Sequence, residues 1–140
     1  MSNDHQLFLH IAEYIDQLTR KVIADAEAYA LHAEPERADR RASLETRLLA
    51  GVTVYKIDDH PRSKYIRITA NESNGQSFAH AFIDRVTGGV YKPAGWKAPA
   101  KGKDGKPSER YNILDAASRA LLLERCESTG GYLYADRARP

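Results

Sequence analysis

The spacing of apolar residues changes once along this chain, and that change restricts the fold it can adopt. Through residues 4–32 apolar side chains recur every three or four positions, the repeat of an amphipathic helix. From Val52 the repeat becomes two, typical of strands whose successive side chains face opposite sides of a sheet. Helices followed by strands, rather than alternating with them, predict an α+β fold. The 140 residues predict one domain, with a helical region over 1–50 and a β-rich region over 51–135.

The predicted first helix is long for a domain of this size. Asn3 or Asp4 can cap its start, and Pro35 prevents its continuation. It would extend about 40 Å, so we expect part of its apolar stripe to pack against another subunit. A second helix is predicted from Pro35 to about Leu49.

The second predicted helix has a basic face that includes Arg40 and Arg41. These two arginines could hold phosphates at a second ligand site. A solvated outer face is the simpler interpretation of the same charges.

The β-rich region predicts an antiparallel meander of three to four strands, because short turn-rich segments separate its alternating runs. The predicted strands are Val52–Asp58, Tyr65–Ala70, Phe78–Asp84 and Val90–Lys92. A long basic loop follows over residues 93–110. A last helix is then predicted from Ile113 or Asp115 to Glu127, with Gly130 and Gly131 ending it and Tyr132–Tyr134 docking after it.

Strict alternation along the third strand predicts two different faces. Phe78, His80, Phe82 and Asp84 would share one face, and Ala79, Ala81 and Ile83 the other. The smaller apolar face suits a covering helix. Phe82 would then face a ligand or a subunit, although burial in the core is an equally good interpretation.

Residues 82–112 contain the only Trp, three of the six Pro and a group of Lys and Arg side chains. Stiff turns, aromatic rings and cationic side chains suit the capture of a ligand that carries phosphates and a base. The predicted ligand-binding residues are Phe82, Asp84, Lys92, Trp96, Lys97, Lys101, Arg110 and Asn112.

Several of these residues also have a purely structural interpretation. Trp96 could stack on a base or plug the loop onto the sheet, and Lys97 and Lys101 could reach phosphates or stay solvated. Asp84 could bind a ribose hydroxyl, but a bond to its own turn fits better. Asn112, standing before Ile113, fits a helix cap better than the reading of a base edge.

The sequence offers no recognisable catalytic set, so we expect a protein that is not an enzyme and needs no metal or cofactor. It lacks a Gly-x-Ser-x-Gly elbow. Cys126 follows an apolar helical run, and the five His lack metal-ligand spacing. No apolar run approaches 18 residues, which predicts a cytoplasmic protein without a membrane partner.

The same segment resembles small phage-encoded proteins. The resemblance rests on Phe82–Asp84, on Gly88–Lys92, on Gly95–Lys101 (Gly-Trp-Lys-Ala-Pro-Ala-Lys) and on Arg110–Ile113. The group is similar to the Thoeris anti-defence sponge family, which sequesters cyclic ADP-ribose-type signals made by bacterial TIR enzymes. This likeness covers residues 78–114, about a quarter of the chain. Pro93 stands where the pattern has Ala, and residues 103–109 are an insertion that could move Arg110.

The resemblance implies a function, partners and residue roles. Phe82 and Arg110 would lie against the base, with Asn112, Lys97 and Lys101 near ribose and phosphate. The ligand would be a cyclic ADP-ribose isomer, or a cyclic di- or trinucleotide. The protein would assemble as a dimer or hexamer in the cytoplasm of an infected bacterial host.

Other functions remain open on the sequence. A single-stranded nucleic-acid-binding module could use Tyr65, Arg67 and Phe82 on an exposed sheet, although a net charge of +2 weakens this interpretation. A phage structural or partner-binding protein could use Trp96 in an interface. An enzyme that cleaves the signal would have only His60 and His80 as general bases, without evident partners.

Overall fold

The computed structural model describes residues 2–33 and 53–134, and it confirms an α+β fold of helices packed on an antiparallel sheet. Helix α1 spans Ser2–Ala33 and helix α2 spans Ala116–Arg125, followed by a short 3-10 turn at Gly131–Leu133. The strands are β1 (Val54–Asp58), β2 (Tyr65–Asn71), β3 (Ser77–Asp84), β4 (Gly89–Tyr91) and β5 (Tyr111–Asn112). The second helix predicted over residues 35–49, with Arg40 and Arg41, lies outside the described residues.

The sheet has the order β1-β2-β3-β4-β5, so each strand pairs with its neighbours in sequence. The three predicted hairpins are confirmed, since β1 to β4 pair antiparallel in succession. The fifth strand was not predicted. It contains only Tyr111 and Asn112, which pair with Val90 and Gly89, and two residues are too few to show a periodic pattern.

A β-bulge in β3 changes which side chains share a face. Ile68 pairs with Ala81 and Thr69 pairs with Ala79, so His80 is an additional residue in β3. The prediction that Phe78 and His80 share a face with Phe82 and Asp84 is therefore wrong, since Phe78 pairs with the core residue Ala70. Sequence alternation assumes one residue per register step, and the bulge breaks that assumption.

Helix α1, helix α2 and the 3-10 turn cover one face of the sheet, here called the inner face. Its buried core includes Leu7, Ile11, Tyr14 and Leu18 of α1, Ile66, Ile68, Ala81, Ile83 and Val90 of the sheet, and Leu122, Tyr132 and Leu133 near the C-terminus. The predicted covering of Ala81 and Ile83 by a helix is confirmed. Among the described residues, neither helix has the length and apolar run needed to cross a bilayer.

The start of α2 differs by a few residues from the prediction. Asp115, rather than Asn112, is the N-cap, and its carboxylate accepts a hydrogen bond from Ser118 N at 2.9 Å. Asn112 Oδ1 instead accepts from Leu114 N at 2.9 Å and Asp115 N at 3.2 Å. Asn112 therefore stabilises the turn that leads from β5 into α2.

The turn between β3 and β4 requires glycine at position 88. Gly88 has φ of +79°, and an added Cβ would lie 2.6 Å from Leu114 Cγ. We expect Gly88→Ala to lower the free energy of unfolding by about 2 kcal/mol, from the left-handed backbone and the displaced leucine together. Urea denaturation followed by circular dichroism would measure the loss.

Gly75→Ala is the matched control for this substitution. Gly75 has φ of +89°, but an added Cβ there would meet nothing within 4 Å. Gly75→Ala should lower the free energy of unfolding by only about 1 kcal/mol, the cost of the left-handed backbone alone. Equal losses for the two variants would contradict a role for the contact between Gly88 and Leu114.

Candidate functional site

The face of the sheet opposite the helices, here called the outer face, holds an arginine between two aromatic rings. The Arg67 guanidinium carbon lies 4.5 Å from the centroid of the Trp96 ring and 5.8 Å from that of Phe82. Arg67 stands opposite Phe82 in the pairing of β2 with β3. The resulting Phe82–Arg67–Trp96 stack joins the sheet to the long loop.

Hydrogen bonds fix the arginine at the centre of this stack. Arg67 Nε donates to the Trp96 carbonyl oxygen at 2.7 Å, and Nη1 donates to the Asp58 carboxylate. The arginine side chain is only 15% exposed. A charge-assisted bond and a planar guanidinium give the Trp96 backbone a defined position.

The loop that presents Trp96 is closed at its base. Pro93 and Pro99 form an antiparallel bridge, and Ala94 N donates to Ala98 O at 3.0 Å. Ala100 N also donates to Lys92 O at 2.8 Å. Trp96 near the apex is 44% exposed, so the ring packs on Arg67 and still offers indole surface to solvent.

Phe82 is the buried end of the stack and does not present an exposed ring. It is only 2% exposed and packs edge-on against Tyr65, with ring centroids 6.2 Å apart. The alternative of an exposed sheet surface made by Tyr65, Arg67 and Phe82 is therefore incorrect for Phe82. A ligand on this face would meet Trp96 directly and Phe82 only through Arg67.

The two predicted phosphate-binding lysines lie on the same loop as Trp96. Lys97 and Lys101 are both exposed, and neither forms an ion pair within the part of the chain that the structure describes. The insertion over residues 103–109 makes its own turn, because Lys101 bridges to Pro107 and Gly102 N donates to Lys106 O at 2.8 Å. Both ammonium groups are thus exposed on the loop that carries Trp96.

Asp84 and Asn112 are engaged by the protein itself. Asp84 is 5% exposed, and its Oδ1 accepts from Val86 N at 2.8 Å and Thr87 N at 2.9 Å. Asn112 Nδ2 donates to Thr87 O at 2.9 Å and Glu109 Oε1 at 3.1 Å. The Asp84 contacts match the turn role that the sequence favoured, whereas Asn112 stabilises the turn before α2 and is not the predicted helix cap.

Arg110 lies immediately before β5. Its backbone N donates to Val90 O at 2.8 Å. Its Nε is buried and has no hydrogen-bond partner among the described residues. Strand alternation from the core residue Tyr111 places Arg110 toward the outer face. The insertion has therefore not removed Arg110 from the face that carries Trp96.

Lys92 is separated from the other predicted residues. It lines a cleft of about 260 Å³ with Phe78, His80 and Tyr134, among others. Its Nζ lies 4.6 Å from the centroid of the Tyr134 ring. The predicted site is thus divided between the loop that carries Trp96 and this cleft.

Sequence reasoning underestimated Arg67, which holds the outer-face site together. Its alternation with Tyr65 and Thr69 indicated an outward residue. Its position opposite Phe82 depends on the register beyond the bulge, which the sequence pattern does not reveal. Asp58, which holds Arg67, ends the predicted first strand, and its pairing with Arg67 depends on the same register.

Burial shifts the pKa of two further titratable groups among the described residues. Burial raises the pKa of the Cys126 thiol, which keeps it protonated at neutral pH. Burial is also the main cause of the raised pKa of Tyr91 on β4, with Glu109 and Asp84 adding to it. Across residues 2–33 and 53–134, no group of three or more His, Cys, Asp or Glu could hold a metal ion.

Fold and site together define a small two-layer α+β protein with an arginine–aromatic stack on its uncovered sheet face. The chain matches the model of a family of unknown function, DUF7717, over residues 1–135, and it belongs to that family. Neither the curated proteins nor the solved structures contain a match to this chain.

Proposed function

We propose that this protein is a phage anti-defence sponge, which binds a cyclic nucleotide immune signal and holds it without cleaving it. The observation that carries the proposal is the Phe82–Arg67–Trp96 stack. It presents a half-exposed indole, held in place by Arg67, on the loop that also carries the exposed side chains of Lys97 and Lys101. An aromatic ring next to cations is the combination that a base and its phosphates require.

Rigidity of the indole favours tight binding. Ordering a flexible side chain on binding costs free energy, and here the fold has already ordered the ring through Arg67 and the closed loop. Stacking of one base on an aromatic ring supplies about 1–3 kcal/mol. Nanomolar affinity needs about 12 kcal/mol in total, so phosphate contacts and enclosure by a second subunit would supply the rest.

Arg110 is a further candidate contact for the phosphates. A buried guanidinium Nε without a partner among the described residues is costly, unless a bound acceptor satisfies it. An anion reaching the outer face near β4 would provide that acceptor. The proposed ligand is therefore a cyclic ADP-ribose isomer or a cyclic di- or trinucleotide, with the base on Trp96.

A single-stranded nucleic-acid-binding module is the second candidate function. It is favoured by the exposure of Trp96, since an open aromatic ring can accept one base of a longer strand. The two functions differ in salt dependence. Binding of an oligonucleotide should weaken steeply with salt, in proportion to the number of phosphates contacted.

The test of the proposed function is binding and recovery of intact ligand. Purified protein is incubated with cyclic ADP-ribose isomers and cyclic oligonucleotides, then heated, and the released ligand is identified by mass spectrometry. We expect Trp96→Ala to weaken binding about 10-fold to 100-fold, the equivalent of one lost stacking contact. Isothermal titration calorimetry would measure the change.

The control variant is Val86→Ala, at an exposed position on the β3–β4 turn. It should bind as the unaltered protein does. Turnover of the ligand, or absence of binding to every cyclic nucleotide tested, would contradict the sponge. Preferential binding to single-stranded oligonucleotides would favour the second candidate instead.

A further inference from the structure

The cleft beside Lys92 is separate from the outer-face stack. Its lining includes residues 78–80 of β3, Glu72, Lys92, residues 128–130 and Tyr134. Phe78 and Tyr134 are each more than half exposed at this cleft, at 52% and 55%. Two large rings exposed at one concave place indicate a binding surface for an apolar or aromatic group.

A buried hydrogen-bond relay orients His80 in the wall of this cleft. Tyr14 Oη is hydrogen-bonded to Tyr132 Oη, and Tyr132 Oη lies 2.6 Å from His80 Nε2. The Tyr14 hydroxyl is fully buried and has no other partner among the described residues. A buried hydroxyl proton without an acceptor is costly, which favours donation from Tyr14 to Tyr132 and from Tyr132 to His80 Nε2.

This direction of donation assigns the tautomer of His80. With Nε2 accepting, the neutral ring carries its proton on Nδ1. Nδ1 has no hydrogen-bond partner among the described residues, and the atom is not fully buried. His80 lines the cleft, so its Nδ1–H is a donor oriented for a molecule bound there.

The charged groups of the cleft have opposite signs. Lys92 provides an ammonium group and Glu72 a carboxylate, and neither is in an ion pair within the described residues. Glu72 Oε2 accepts from Thr53 Oγ1 at 3.1 Å, which leaves its other oxygen without a described partner. A ligand that complements the cleft therefore carries both charges and an aromatic ring.

We propose that this cleft binds a free aromatic α-amino acid in its zwitterionic form. The ligand carboxylate would accept from Lys92 and from His80 Nδ1–H, and the ligand ammonium group would donate to Glu72. The aromatic side chain would pack against Phe78 and Tyr134. Each polar group of the ligand thus has a partner of opposite character, as a desolvated charge requires.

The size of the cleft favours the same class of ligand. Its volume of about 260 Å³ lies below the range of roughly 300–1,000 Å³ typical of sites for drug-sized molecules. A cyclic ADP-ribose or a cyclic oligonucleotide is larger than such a cleft can enclose. The amino-acid site is therefore independent of the proposed nucleotide site at Trp96.

The test uses the full chain and a panel of small probes in titration calorimetry. We expect L-phenylalanine, L-tyrosine or L-tryptophan to bind. Phenethylamine and phenylacetate, each lacking one of the two charges, should bind at least about tenfold more weakly. Lys92→Met and Glu72→Gln should each weaken binding of the amino acid by a similar factor.

Two further measurements distinguish binding in this cleft from binding at Trp96. Binding in the cleft should shift the His80 Cε1–H resonance in NMR, which a ligand at Trp96 would not do. Val86→Ala, outside both sites, should bind the amino acid as the unaltered chain does. Lack of binding by all three amino acids, equal binding of phenethylamine, or unchanged affinity in both charge variants would overturn the proposal. None of these results bears on nucleotide binding at Trp96.

Discussion

Lowering the pH from 7 to 4 should remove about 3 kcal/mol of the free energy of unfolding through His80 alone. Burial lowers the pKa of His80 from 6.5 to about 4, and nearby Glu127 only partly opposes this. Each unit of difference in pKa between the folded and unfolded states corresponds to about 1.4 kcal/mol. The effect is large because the ring is 7% exposed and hydrogen-bonded inside the core.

The sign follows from where the proton binds. Between pH 6.5 and about 4 the unfolded state protonates this histidine while the folded state does not. Stability through His80 is therefore complete above pH 6.5 and falls as the pH decreases, until the folded state is protonated too. Protonation would also reverse donation in the relay and leave the Tyr14 hydroxyl proton without an acceptor.

Urea denaturation at a series of pH values would measure this loss. His80→Gln should remove most of the His80 contribution to the pH dependence, whereas His60→Gln, at a histidine with a 69% exposed side chain, should keep it. If His80→Gln does not fold, NMR titration of the unaltered chain gives the same answer. A His80 midpoint near 6.5 instead of 4 would contradict the prediction.

Replacing Arg67 by alanine should lower the free energy of unfolding by about 3 kcal/mol and should also weaken the proposed nucleotide binding at Trp96, by no more than the about 10-fold to 100-fold expected for Trp96→Ala. The substitution removes a charge-assisted bond to Asp58 and the bond to the Trp96 carbonyl oxygen. It also removes the cation between the two rings. The loop would lose its attachment to the sheet, and the indole would no longer be held in a fixed position.

The matched control for Arg67 is Arg85→Ala. Arg85 likewise pairs with a carboxylate, that of Asp59, and donates to backbone oxygens of Ser63 and His60 at 3.1 and 2.9 Å. Its loss should reduce stability without changing affinity for the ligand, because it does not contact the stack. Arg67→Lys retains the charge, so it should lose less stability and less ligand affinity than Arg67→Ala. It should still lose some of both, since lysine lacks the planar fork of the guanidinium group.

Fluorescence offers a direct readout, since Trp96 is the only tryptophan. Its emission should change in Arg67→Ala and remain unchanged in Arg85→Ala. Unaltered emission and full ligand affinity in Arg67→Ala would show that the stack does not position the indole.

Much of the fold could be predicted from local patterns. The long first helix and the first three hairpins follow from repeats of 3.6 and 2 and from turn residues such as Asn74–Gly75, which depend only on near neighbours. Asp84 also showed its turn role in the sequence, because its partners lie two and three residues away. Asn112 was predicted as the helix cap, but Asp115 takes that role.

The sequence by itself determined the α+β class, the meander and the loop that carries Trp96, Lys97 and Lys101, since local periodicity and turn chemistry specify these. Only the tertiary structure decided that Arg67 lies between Phe82 and Trp96, that His80 turns inward, and that Lys92 belongs to another cleft. A single extra residue in β3 reverses the alternation on one side of it. Such a change in register has no signature in the spacing of apolar residues, and contacts between distant segments depend on it.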